Sequence, residues 1–133
     1  MSSQPSILQV ENIATRFQTQ EGQVHAVNGI SFELKKGELL GVVGESGSGK
    51  SVTMLSLLKL LPMPPAEIVS GKATFEGQDL LKLDLEELRK IRGGKIGFIF
   101  QDPMTSLNPV LTIGYQLTEP MREHLGLSRS DAR

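Results

Sequence analysis

Residues Gly44–Ser51 read GESGSGKS and follow directly on the apolar run Leu39-Leu40-Gly41-Val42-Val43. The spacing of Gly44, Gly49, Lys50 and Ser51 is that of a phosphate-binding loop, which needs a buried strand before it and a helix after it. Both flanks fit. Residues 39–43 predict the strand, and Val52, Leu55, Leu58 and Leu61 recur at helical spacing until Pro62 and Pro64 stop the helix. The chemistry accounts for the residue types. Gly44, Gly47 and Gly49 carry no Cβ, so the chain can turn sharply and aim successive N–H groups at an anion. The helix start near Lys50 adds its positive end to the same place. Lys50 supplies a full charge for the β- and γ-phosphates of a nucleoside triphosphate, and the Ser51 hydroxyl a ligand for Mg2+. Glu45, Ser46, Ser48 and Val52 complete the cradle. The competing reading is an ordinary glycine turn with a solvated Lys50; four fixed positions and two matching flanks weigh against it.

A chain of 133 residues has room for one core. Its formal net charge of −1 gives no sign of a nucleic-acid-coating surface. It has no cysteine, which excludes disulfides, thiolate metal sites and cysteine nucleophiles. No apolar stretch reaches membrane-spanning length, and the opening MSSQPSILQVENIATRF lacks a basic start followed by an apolar block. These features predict a protein of the cytosol.

Around the loop, residues 7–17 alternate as a first strand and Gly22 supplies a turn. Val24 to Leu34 offers one or two more strands, and Lys35-Lys36-Gly37 turns the chain into residues 39–43. The alternating strands suggest an antiparallel sheet wet on one side, the continuous run a sheet covered on both. Two sheets are therefore expected within the first 45 residues. LPMPPAEIVSG reads as a proline-rich surface connection, and Lys72 to Glu76 as a strand able to join the antiparallel sheet. A short helix follows, capped by Asp84, with Glu86 and Glu87 in its first turn and Arg89, Lys90 and Arg92 in its last, before Gly93-Gly94. Leu81, Leu85 and Leu88 share a face, and its charges read as a solvated surface with a Glu86–Lys90 pair. Ile96 to Phe100 is a second buried-type strand. Thr112 to Leu125 has helical character weakened by Gly114 and Pro120. Ser128 with Asp131 is a helix-start signature, yet the chain stops at Arg133, which predicts a shortened ending.

GVVGESGSGKS, an aromatic residue upstream of it, and the block IGFIFQDPMTSLNPVLTIG stand in the order shown by ATP-binding subunits of ABC transporters, and the sequence resembles their oligopeptide/dipeptide (and nickel) importer branch along its whole length. The last block is the distinctive one, because many unrelated NTPases share the loop. The resemblance implies that Gln101, ending the second core strand, is a catalytic residue beside Lys50, sensing the γ-phosphate through Mg2+ and the attacking water. An uncharged amide can ligate a metal or orient water and swing with its loop. It implies that Phe17 stacks on adenine, a flat ring giving contact area without hydrogen-bond demands; core packing is the competing role for Phe17, as it is for Val27. Relatives often carry a second hydroxyl residue after the loop serine; here Val52 leaves only its backbone N–H. The LSGGQ-type signature, the apolar run ending in Asp-Glu and the switch histidine have no counterpart in these 133 residues. Asp102 is a poor substitute metal ligand, with Gln101 intervening and Pro103 breaking the strand. His25 and His124 do not match the switch position and read as surface or packing residues.

The implied fold is α/β, the N-terminal part of an ABC-type P-loop ATPase: an antiparallel β subdomain and partial parallel core over about 1–103, then the start of a helical subdomain over about 104–133. The implied activity is ATP-driven import of peptides or similar solutes, with ATP and Mg2+ as cofactors. The implied partners are a second ATP-binding subunit, membrane-spanning subunits touching Met104–Ile113 and, indirectly, a solute-binding protein, all at the cytoplasmic face of the inner membrane; nucleic acid is not among them. Two alternatives stand beside this: binding of ATP without hydrolysis, and a different P-loop NTPase using Asp102 for Mg2+, which lacks support from any Asn-Lys-x-Asp motif. Uncovered strand edges predict a poorly stable or self-associating chain.

Overall fold

Alternating apolar and polar residues at both ends of the loop region build one antiparallel sheet. The computed structural model describes residues 4–133, in two units, one ending at Leu83 and one spanning Asp84–Arg133. In the first, strands β1 (Ser6–Thr19), β2 (Gly22–Lys35), β3 (Ala66–Phe75) and β4 (Gln78–Asp79) order as β2-β1-β3-β4. The β1–β2 hairpin closes where Thr19 pairs with Gly22. Helix α1 (Lys50–Leu57) lies between β2 and β3 in sequence. The core gathers Val10, Ile13, Val27, Leu57, Leu58, Ala73, Phe75 and Leu80.

Strand β1 does not hold a single alternation. Its pairing with β2 shifts between Val10 and Ile13, and Asn12 takes φ 47° there. The extra residue returns Ile13 and Thr15 to the face already occupied by Val10, so all three are buried. Strand β3 begins earlier than Lys72. The segment expected as a surface connection enters the sheet at Ala66, where Phe17 faces Ala66 and Gln18 N–H donates to Pro65 O at 3.0 Å. Ile68 and Val69 suit that strand.

Two expectations fail here. Residues 39–43 and 96–100 form no strand, and the only sheet among the described residues is the antiparallel one. Leu39 and Val43 are 97% and 94% exposed, and Ile99 is 97% exposed. The apolar runs specify a covered environment, but a strand exists only through a hydrogen-bonded neighbour, and neither run has one within its own unit. Strand-like pairing near the second run is limited to a single Arg92–Ile96 bridge; beyond it, the Phe98 and Phe100 rings approach to 4.8 Å.

Helix α1 also departs from its pattern. It ends at Leu57 rather than at Pro62, and its buried residues are Thr53, Ser56 and Leu57; of the expected stripe, Leu58 just past its end is buried, while Val52, Leu55 and Leu61 are half-buried. Hydroxyls can be buried there because each has a partner. Thr53 Oγ1 donates to Gly49 O at 2.7 Å, Ser56 Oγ donates to Val52 O at 2.6 Å, and Ser56 Oγ lies 2.8 Å from Thr15 Oγ1 on β1.

In the second unit, helix α2 (Leu85–Ile91) starts with a full capping box between Asp84 and Glu87. It buries Leu88 and Ile91, while Leu85 is 72% exposed, so the leucine face turns by one position from expectation. Glu86 and Lys90 form no ion pair among the described residues; Arg89 instead meets Glu123 at 3.2 Å. Both partners are exposed and the pair contributes little. Helix α3 (Ile113–Leu125) is capped by Thr112 and runs through Gly114 and Pro120. Residues 128–132 make one turn, in which Asp131 N–H donates to Ser128 Oγ and Ala132 N–H to Ser128 O.

Candidate functional site

The loop is held by its own lysine. Lys50 Nζ donates to the carbonyl oxygens of Gly44 and Glu45 at 2.6 and 2.8 Å, and to Ser48 Oγ at 3.2 Å. Ser48 N–H donates to Glu45 O at 3.1 Å, closing a tight turn through Ser46 and Gly47. The ammonium group therefore sits inside the curve of residues 44–48, half-buried, with the loop's outer residues exposed. Carbonyl and hydroxyl oxygens are neutral acceptors, so the full positive charge is localised there without a carboxylate to cancel it. That is an anion-attracting arrangement.

Gly49 makes the junction between loop and helix possible. Its φ is 93°, in the left-handed region. A Cβ at this position would come 2.6 Å from Ala26 O and 3.7 Å from Val27 Cγ2. Strand β2 thus fixes where α1 begins, and buried Val27 is core. The first amide groups of a helix have no intrahelical acceptor. No side chain caps α1 and no acid lies in its first turn, so the helix start that carries Lys50 is left uncapped. Ser51 is exposed.

Behind the helix, the Thr15–Ser56–Val52 chain of hydroxyl bonds ties α1 to β1. Sequence reading missed this support; two hydroxyl residues spaced by three on the helix, Thr53 and Ser56, were the available signal. Phe17 is half-buried, opposite Val24 on β2 and Ala66 on β3. Strand alternation sets it on the face of Thr15, the face that carries α1.

Gln101 belongs to the second unit, where it occupies an exposed bend after Phe100. Asp102 has a structural task. Its Oδ1 accepts Met104 N–H at 2.9 Å and its Oδ2 accepts the Thr105 hydroxyl at 3.3 Å, so its carboxylate shapes the turn. No group of three or more potential metal-ligating His, Cys, Asp or Glu residues occurs among the described residues. His124 packs on the Gly93-Gly94 turn, where a Cβ on Gly93 would lie 2.9 Å from its Nε2. No helix among the described residues is long and apolar enough to cross a membrane.

The sequence model of the ABC transporter family matches residues 27–132. The chain is 49% identical over 127 residues to the oligopeptide transport ATP-binding protein OppD of Bacillus subtilis, covering 96% of this chain and 36% of that protein. Identity to the dipeptide transport ATP-binding protein DppD of the same species is 49% over 127 residues, 96% of this chain and 38% of the relative. A probable peptide ABC transporter ATP-binding protein of Sinorhizobium fredii is 47% identical over 135 residues, 99% and 40% of the two chains. Among solved structures, a dimeric ATP-binding cassette in a post-hydrolysis state, bound to ADP and Pi, superposes with a TM-score of 0.75 at 27% identity, covering 94% of this chain and 53% of that one. The chain thus spans well under half the length of these sequence relatives.

Proposed function

The chain belongs to the ABC transporter family, and from that membership we propose that it is the nucleotide-binding part of an ATP-driven importer of peptides or similar small solutes. The observation that carries the proposal is the Lys50 ammonium inside the curve of residues 44–48, beside an uncapped helix start. ATP would lay its β- and γ-phosphates into that curve and exchange the Gly44 and Glu45 carbonyls for phosphate oxygens as partners of Lys50. Amide groups of residues 46–52 would complete the cradle. Ser51, exposed at the helix start, and Gln101, exposed at its bend, are the residues that the family resemblance offers as Mg2+ ligands. The metal would neutralise charge developing on the transferred phosphoryl group. Phe17 would give adenine an apolar surface.

We assign Met104–Ile113 as the contact for membrane-spanning subunits at the cytoplasmic face, because its apolar side chains are uncovered. Met104 is 88% exposed and Val110 87%. A second ATP-binding subunit is the other expected partner, in keeping with the dimeric cassette that the chain resembles. The region following residue 103 serves as the start of a helical subdomain in this reading. Peptides as cargo are favoured by the peptide-transport relatives. In the organism carrying this gene, Lys50→Ala should lower uptake of a labelled dipeptide or tripeptide to the level of a strain lacking the gene. Undiminished uptake would contradict the assignment.

A second reading is binding without turnover by these 133 residues alone. They contain neither a signature sequence nor an apolar run ending in Asp then Glu. Positioning and charge stabilisation supply most of phosphoryl-transfer catalysis, and both of these motifs would contribute to them. Purified chain with Mg-ATP should release phosphate no faster than buffer; clear turnover would overturn this reading.

A further inference from the structure

Helix α3 and the turn after it bring three arginines to one cavity. Thr112, Tyr115, Thr118 and Arg122 are spaced by three, three and four residues, so they share one face of α3. Gly126 takes φ 65° at the C-terminus of the helix and reverses the chain. The Ser128–Ala132 turn that follows buries Ala132 and returns Arg129 and Arg133 to the same face. The cavity they line has a volume of about 260 Å³, and its walls are Thr112, Gly114, Tyr115, Thr118, Arg122, Arg129 and Arg133.

No acid lines it. Glu123 is engaged by Arg89, Glu119 lines the groove beside Met104–Leu111, and Asp131 is held by the Ser128 hydroxyl. Among the described residues, none of the three guanidinium groups pairs with a carboxylate. Three like charges in one concavity repel one another, and no salt bridge among the described residues involves any of them. Guanidinium forks match the oxygens of phosphate, and a tyrosine hydroxyl adds a neutral donor. The cavity is too small for a folded partner and large enough for one or two phosphate groups.

We propose that this cavity is a phosphate-recognition site separate from the Gly44–Ser51 loop, taking a small phosphate-bearing anion, either free or as the headgroup of an anionic lipid. The proposal does not rest on the nucleotide reading of the loop. To silence that loop, the test uses the full chain carrying Lys50→Ala. Inorganic pyrophosphate is titrated in one arm, and vesicles of phosphatidylglycerol or of phosphatidylcholine are sedimented with the chain in the other. Saturable pyrophosphate binding identifies a free ligand; cosedimentation with phosphatidylglycerol alone identifies a headgroup. In whichever arm binds, adding Arg122→Ala and Arg129→Ala should weaken binding at least about tenfold. Replacing both by lysine keeps the charge and any fold dependent on it, and should restore only part of the affinity. Binding in neither arm would overturn the proposal. So would affinity unchanged by the alanine pair, or fully restored by the lysine pair, which would mark a charge patch without a fork-shaped site.

Discussion

Lys50→Ala should weaken ATP binding by about 100-fold while leaving the fold intact. The ammonium donates to three oxygens of the loop and would donate to charged phosphate oxygens in their place. Hydrogen bonds to charged groups contribute about 1.5–3 kcal/mol each, and about 2.7 kcal/mol corresponds to 100-fold in affinity. Removing the side chain also frees the Gly44 and Glu45 carbonyls, so the loop loses its internal brace. Because Lys50 is half-exposed and takes no part in the apolar core, its loss should leave the far-ultraviolet dichroism spectrum and the unfolding midpoint close to those of the parent chain. Titration of fluorescent ATP into both proteins measures the ratio. Equal affinities would remove the basis for the site.

Gly49→Ala should act on stability and binding together. A left-handed backbone costs a residue with a Cβ about 1–3 kcal/mol. Here the added methyl also meets the Ala26 carbonyl at 2.6 Å, and a backbone atom of β2 cannot swing aside as a long side chain could. Overpacking of this kind costs about a further 1–3 kcal/mol, for an expected loss of about 2–6 kcal/mol. The start of α1 would shift and its amides would lose their aim at the phosphates. Gly47→Ala is the internal comparison: its φ is 79°, but a Cβ there meets nothing within 4 Å. Urea unfolding followed by circular dichroism should rank the parent above Gly47→Ala, and Gly47→Ala above Gly49→Ala. A Gly49→Ala midpoint equal to that of the parent would show that β2 does not fix the junction.

Much of this was legible before the fold was known, and the failures have physical causes. The turn through Ser46-Gly47 and the start of α1 at Lys50 were readable from the glycine spacing. Strands β1 and β2 were readable from alternation, and the start of α2 from Asp84. The bulge at Asn12 was not, since one inserted residue changes which side chains share a face and leaves little trace in composition. The inward face of α1 was misread because Ser56 is buried against Thr15, 41 residues away in sequence, while Thr53 finds its partner in Gly49 O. Residues 39–43 and 96–100 were read correctly as apolar runs but not as exposed ones, because pairing depends on neighbours that a local pattern does not contain. Arg122, Arg129 and Arg133 carried no pattern of their own; the turn at Gly126 brings them together.

The central claim is that the chain grips the phosphate tail of a nucleotide rather than its base. Equilibrium titration of ATP, ADP and AMP with Mg2+ present tests it most directly. If Lys50 and the loop amides hold the β- and γ-phosphates, ATP and ADP should each bind at least about 100-fold more tightly than AMP, which has neither group. AMP binding as tightly as ATP would contradict the account.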